Sequence, residues 1–316
     1  MKEIIDFSSI SDSDFGQQKL PAWRPIVTPR VTVIGLAILC VFSLVIGIVF
    51  TITNSRVIVY EERYDNKCII GQLCNITFNV QEEMTGTIYL RFKLTDFYQN
   101  HRRFMESRSD EQLAGSYVDY SGMSACVPYR SVNDSALPAN WLLPCGLSAA
   151  SFFNDTYDWL SSAQIFSESG ISWKSDRQYL YQPLSSEYKT GVRWLEKYTD
   201  FSGAQTNEHF IVWMRVSALS TVVKDYAICS NCVIKPGSYT VDIQDNYGTN
   251  GFNGEKYLIL SSSSVLGSKN SFLGISYIVL GSIALVLCIT LIIVEANWSR
   301  KPGDMALIKN ILNQQK

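Results

Sequence analysis

The sequence predicts a membrane protein with two transmembrane helices and one β-rich ectodomain, an antiparallel sandwich carrying helical and loop insertions. Three observations predict it. Two long uncharged stretches lie towards the ends of the 316 residues, the polar middle holds six cysteines and three glycosylation sequons, and short alternating segments recur within that middle.

Val31 to Thr53 and Phe272 to Val294 each run for 23 residues without Asp, Glu, Lys or Arg. A hydrocarbon core of about 30 Å needs about 20 helical residues, and 23 of them reach roughly 35 Å. Both stretches are long enough to cross. The expected layout is a cytosolic tail at 1–30, a span at 31–53, an ectodomain at 54–271, a span at 272–294 and a second cytosolic tail at 295–316. The first span follows a polar tail rather than a short basic leader, with no small-residue cleavage site after it, and so reads as an uncleaved signal anchor. An even number of spans puts both ends on one side. Long loops cross regardless of charge, so the sequons at Asn75, Asn133 and Asn154 decide the orientation: the loop that carries them enters the secretory lumen, and the ends stay cytosolic. Asn297-Trp-Ser falls on the cytosolic side and is expected to remain bare.

Cys40 and Cys288 sit inside the spans as small packing residues. The six luminal cysteines read as a disulfide framework, paired with nearest neighbours: Cys68 with Cys74, Cys126 with Cys145, Cys229 with Cys232. By loop entropy the first two stabilise by about 2.3 and 3.3 kcal/mol. The Cys229-Ser-Asn-Cys232 spacing also suits a redox pair or half a zinc site, although no second ligand pair accompanies it.

Within the ectodomain, Thr87 to Leu94 alternates, with Ile88, Leu90, Phe92 and Leu94 on one face. Arg56 to Tyr60, Asn75 to Val80, Ser238 to Ile243 and Lys256 to Ser261 are further short strands, and Phe210 to Met214, apolar on both faces, reads as a central one. Lys235-Pro-Gly237 and the glycine-bearing stretch from Asn246 to Gly254 make the last two strands a hairpin with a long tip. Asp96 to Gly115 and Leu137 to Thr156 lack alternation and read as ordered insertions with short helices.

Few residues suggest chemistry. A net charge of −2 gives no basic face for nucleic acid. His101 and His209 have no nucleophile signature around them, Lys189-Thr-Gly191 lacks the partner motifs of a serine lactamase, and no phosphate loop or His-Glu-x-x-His is present. No cofactor or metal is expected. The spans hold no charged residue to mark an ion path, but Ser43 with Gly47, and Gly274 with Gly281, put small residues on one face of each helix. Those faces suit a partner helix or the chain's own second span.

Several segments, in order along the chain, are far more specific than such fragments. Gln17-Gln-Lys-Leu-Pro-Ala-Trp-Arg-Pro-Ile-Val-Thr28, Tyr98-Gln-Asn-His-Arg-Arg-Phe104, Ser107-Arg-Ser-Asp-Glu-Gln-Leu113, Pro144-Cys-Gly146 and Ser151-Phe-Phe-Asn-Asp-Thr156 are five of them. Gly170-Ile-Ser-Trp-Lys-Ser-Asp176, Phe210-Ile-Val-Trp-Met-Arg215 and Asn270-Ser-Phe-Leu-Gly-Ile-Ser-Tyr277 complete the set. Together they resemble the cell-cycle-control protein fifty / ligand-effect modulator family, accessory subunits of type IV P-type ATPases. The resemblance implies an asymmetric β-sandwich and a noncatalytic β-subunit of a phospholipid flippase. Such a subunit forms a heterodimer with the ATPase α-subunit among membrane lipids, is required for its folding, exit from the endoplasmic reticulum and activity in moving phospholipid from the exoplasmic to the cytosolic leaflet, and resides in the endoplasmic reticulum, in the Golgi or endosome, or at the plasma membrane. Family disulfides match Cys68 with Cys74 and Cys126 with Cys145, whereas Cys229 with Cys232 rests on spacing alone. Trp23, Arg24, Arg102, Arg103, Arg108, Gly274 and Gly281 are the expected partner contacts or their scaffold. On bare topology a two-span ligand-gated channel subunit, or an adhesion or receptor module, is the alternative.

Overall fold

The computed structural model describes residues 13–15, 28–159, 166–198, 200–201, 203–264 and 267–298. They group into two units, one holding the two long helices and the other running from Ile52 to Asn270.

The helical unit is built on α1 (Pro29–Ser55) and α6 (Phe272–Trp298), each longer than the uncharged stretch that predicts it. Mean hydropathy reaches 3.0 and 2.9 in their most apolar windows, yet only 17% of each window is buried. A helix apolar all round and mostly uncovered has lipid as its solvent rather than a protein core. The contacts between the helices run antiparallel, from Arg30 with Glu295 at 3.3 Å, through Leu44 beside Gly281, to Thr51 beside Gly274. The small residues mark this seam. A Cβ on Gly47 would lie 2.8 Å from Ile278 Cγ1 and 2.9 Å from its backbone nitrogen, so only glycine permits the approach. Buried Cys40 and Ser43 share its face at helical spacing. Gly274 and Gly281 thus face the chain's own other span, one of the two arrangements open in the sequence.

The second unit is a sandwich of two antiparallel sheets. One has the order β1-β7-β3-β5, from β1 (Val59–Arg63), β7 (Lys256–Ser262), β3 (Met84–Leu94) and β5 (Val222–Ile234). The other has the order β2-β6-β4, from β2 (Leu73–Val80), β6 (Gly237–Gln244) and β4 (Thr156–Trp159). Alternation decides which residues point inward: Ile88, Leu90, Phe92 and Leu94 of β3 join Leu258 and Leu260 of β7 against Ile76, Phe78, Val241 and Ile243 of the facing sheet. Each such side chain contributes about 1.5–3 kcal/mol on burial. A second, smaller cluster surrounds the Cys126–Cys145 bond, with Met123, Trp141, Leu143 and Tyr188.

Four sequence expectations change. Phe210 to Met214 belongs to a helix, α5 (Glu208–Met214), capped by Asn207, whose side chain accepts from the His209 amide at 2.8 Å. A short apolar run reads equally as buried strand or buried helix, and the Asn-Glu start is the helical signal that settles it. β6 and β7 lie in different sheets, so the Asn246–Gly254 stretch crosses between layers and closes no hairpin. β1 begins at Val59 rather than Arg56. The longest strand, β5, was not expected, because Lys224 occupies an inward position and Cys229-Ser-Asn-Cys232 resembles a turn. The register explains the cysteines. Three steps from Cys229 to Cys232 oppose two steps from Ile88 to Gly86, a β-bulge in which Asn231 takes a φ of 56°. The bulge returns both cysteines to the inner face, where they are bonded.

Short helices punctuate the insertions: α2 (Arg102–Glu106), α3 (Asp110–Leu113) and α4 (Leu147–Ala150).

Candidate functional site

Two of the specific segments meet on α5. Asp176, 2% exposed, accepts from Arg215 Nε at 2.6 Å and Nη2 at 2.9 Å, a bidentate pair joining the last residue of Gly170–Asp176 to the last of Phe210–Arg215. At the other end of α5, Glu208 accepts from the Gly170 amide (2.9 Å), the Ser172 amide (2.9 Å), Ser172 Oγ (2.8 Å) and Arg177 Nη1 (2.7 Å). Against the upward push of burial, these donors hold its carboxyl below the ordinary value. One seven-residue helix thus fixes the loop at both ends, and the loop lifts Trp173 outward. The indole is 63% exposed, with the Arg215 guanidinium 3.6 Å from its ring centre.

The segment Tyr98–Phe104 is tied down by two amide side chains, Gln99 buried and Asn100 exposed. Gln99, fully buried, donates to the Trp213 carbonyl (3.2 Å) and accepts from the Ser217 amide (2.9 Å), while Asn100 donates to the Ala218 carbonyl (2.8 Å). Phe104 is buried beside them, edge-on to Phe97. Ser107 Oγ donates to the Cys126 and Val127 carbonyls and accepts from Leu147 N at 2.9 Å. Gln112 Oε1 accepts from Cys145 N at 2.7 Å. Gly146 explains Pro144-Cys-Gly146: its φ is 107°, and a Cβ there would lie 2.3 Å from the Ser107 carbonyl. The Cys126–Cys145 bond is therefore wired to the segment carrying the arginines.

Those arginines divide. Arg102, 85% exposed along its side chain, makes an i,i+4 pair with Glu106 at 2.9 Å, and Arg103 is exposed beside it. Arg108 is half-buried and bonded to Asp110 at 2.8 Å. Tyr98 and Met105 of the same stretch, and Leu219 next to the Ala218 that Asn100 holds, are exposed as well. Trp23 and Arg24 lie outside the described residues, and Gly274 and Gly281 lie in the seam between the spans.

A further polar cluster, which the sequence reading missed, sits in the sandwich core. Lys256 Nζ contacts Asp155 Oδ2 at 2.9 Å, Asp245, and the Tyr247 carbonyl at 2.7 Å, all three charged side chains being at most 2% exposed. Asp155 also accepts from Tyr64 Oη (2.7 Å) and the amides of Asn246 and Tyr247 (both 2.6 Å). Burial pushes its carboxyl up, and Lys256 pulls it down. The missed signal is a lysine opening an apolar strand and an acid hidden inside a sequon.

Among the described residues no cluster of His, Cys, Asp and Glu suits a metal. His101 caps α2, and His209 Nε2 pairs with Glu168 Oε2 at 2.9 Å between Phe201 and Tyr226. All three expected cysteine pairs are bonded, with Cα separations of 5.6, 5.6 and 5.8 Å. Asn75 and Asn133 are exposed and Asn154 partly so.

Comparison with known proteins gives a consistent answer over nearly the whole chain. The family model described as LEM3 (ligand-effect modulator 3) family / CDC50 family matches residues 32–301. The ALA-interacting subunit 3 of Arabidopsis thaliana is 34% identical, covering 92% of this chain and 88% of that protein. Cell cycle control protein 50A of Bos taurus is 32% identical over 90% and 88%, and cell cycle control protein 50B of Homo sapiens 30% over 92% and 94%.

Proposed function

The chain belongs to the LEM3/CDC50 family, and from that premise we propose that it is the noncatalytic accessory subunit of a phospholipid flippase, assembling with a type IV P-type ATPase. The observation that carries the reading is the match across 32–301, which takes in both spans and the whole ectodomain. The name of the Arabidopsis relative describes a subunit that interacts with another protein, in keeping with a role performed by contact.

The physical side supports the same reading. The spans pack on each other through a small-residue seam and leave apolar outer faces, such as Ile38, Phe42 and Val45 of α1, for lipid or for the helices of a partner. The ectodomain spends its polar chemistry on internal ties and presents exposed Arg102, Arg103 and Trp173 on rigid supports. A subunit gripping the luminal side of a pump biases its inward and outward states through differential contacts. In this reading the ectodomain is luminal, the termini are cytosolic, Asn75, Asn133 and Asn154 carry glycans, and assembly precedes exit from the endoplasmic reticulum. The test is purification of the full chain from native membranes in mild detergent, with mass spectrometry of what accompanies it. A stoichiometric P-type ATPase is expected, along with loss of labelled-phospholipid uptake when the chain is deleted. A chain that travels without an ATPase, or that conducts ions alone, would overturn the reading.

A further inference from the structure

Lys224 lies on the inward face of β5, an edge strand, and is 7% exposed. Its ammonium donates to the Arg215 carbonyl, just past the last turn of α5, where helix carbonyls lack partners of their own. Among the described residues that carbonyl is the one acceptor it has, although an ammonium carries three protons. Burial and the nearby Arg215 charge pull its pKa down to about 8, Asp225 pulling the other way, so the group is still charged at neutral pH.

Lys224 lines a cavity of about 190 Å³ together with Ser172, Trp173, Ile211, Arg215 and Asp225, whose carboxylate is already paired with Arg91. The two cations differ in what they lack. Arg215 is neutralised by Asp176 and stacked on Trp173, whereas among the described residues Lys224 forms no ion pair, the neighbouring Asp225 being held by Arg91. A buried cation short of an anionic acceptor, beside an open cavity, costs free energy that a carboxylate entering the cavity would offset. Size narrows the source. The cavity lies below the roughly 300–1,000 Å³ of small-molecule sites, so it admits one side chain rather than a lipid headgroup with its glycerol. At its rim stand an exposed tryptophan and an arginine, the residue types that dominate interface energetics.

The geometry points to this cavity as the socket for one Asp or Glu side chain from a luminal loop of the ATPase, with Lys224 as its counter-ion and Trp173 as the lip. The inference rests on the flippase-subunit reading. The test treats the purified full-length complex with a water-soluble carbodiimide, which joins an amine to a carboxylate in direct contact, and maps the products by mass spectrometry. An amide between Lys224 and an acidic residue of the ATPase is expected. Lys224→Arg should abolish that product yet keep the ATPase bound. Lys224→Met should speed ATPase loss at least about thirtyfold, the low end for a broken buried charge pair, while the melting temperature of the detergent-solubilised chain alone stays level or rises. If no ATPase accompanies the wild type, the parent reading fails and this inference with it. If the ATPase is present but Lys224 gives no amide product, or Lys224→Met binds normally, this inference alone fails. A Lys224→Met chain that loses both melting temperature and ATPase would make the lysine only a helix-end cap, which also overturns it.

Discussion

Two lysines are buried in the ectodomain, and they are served very differently. Lys256 holds two carboxylates and a carbonyl in the sandwich core, where Asp155 collects four donors of its own. Lys224, at the sheet's edge, holds one carbonyl. A buried ion cluster earns little net stability over an apolar core, but it penalises any packing that breaks it. The closed cluster thus fixes how the two sheets meet. The half-served lysine leaves a need that something outside the described residues can meet. A charged group buried with every bond internal belongs to the scaffold, and one buried with bonds to spare points to a surface that does work.

The largest test of that contrast is Lys256→Met. It strands Asp155 and Asp245 in the core and should destabilise the ectodomain by about 3–5 kcal/mol, seen as loss of folded, exported chain or a large fall in melting temperature. A near-neutral result would erase the distinction, since Lys224→Met is expected to cost nothing in stability. Glu208 gives a middle effect. Glu208→Gln should cost about 1.5–3 kcal/mol, the range for hydrogen bonds to a charged group, and loosen the Trp173 loop. Its carboxyl is held below the ordinary value of 4.5, so its contribution is complete above that pH and drains away as pH falls through the depressed native value. The Trp173 component of the fluorescence, identified by its absence in Trp173→Phe, should shift on acidification in the wild type and be insensitive to that step in Glu208→Gln. A small effect on stability, below that of Glu208→Gln, is expected from the double reversal Arg102→Glu and Arg103→Glu. Their exposure keeps it close to zero, while co-purification of the ATPase should be lost. Intact assembly would remove this surface from the interface.

Much of the architecture was legible because membrane spans and amphipathic strands advertise themselves by composition and period. Thr87 to Leu94 and Asn75 to Val80 alternate as half-buried strands must, and both lie within strands. The failures have physical causes. β5 hides because Lys224 interrupts its inward face and a bulge breaks its period at Asn231. α5 is too short for helical periodicity to show, and which sheet a strand joins is a long-range matter: nothing local in β6 or β7 separates them. The site was legible only in part. Arg102 and Arg103 are exposed and Arg108 is braced, but the purpose of the quoted motifs, Gln99 under one and Glu208 with Asp176 under another, is tertiary.

The kink in β5 has one more consequence. An outermost strand offers unpaired amides and carbonyls as a template on which another unfinished chain can grow. Where Asn231 turns left-handed and a sulfur bridge shuts the detour, that template is out of register with any straight neighbour. A crooked rim of this kind disfavours edge-to-edge pairing between copies of the chain.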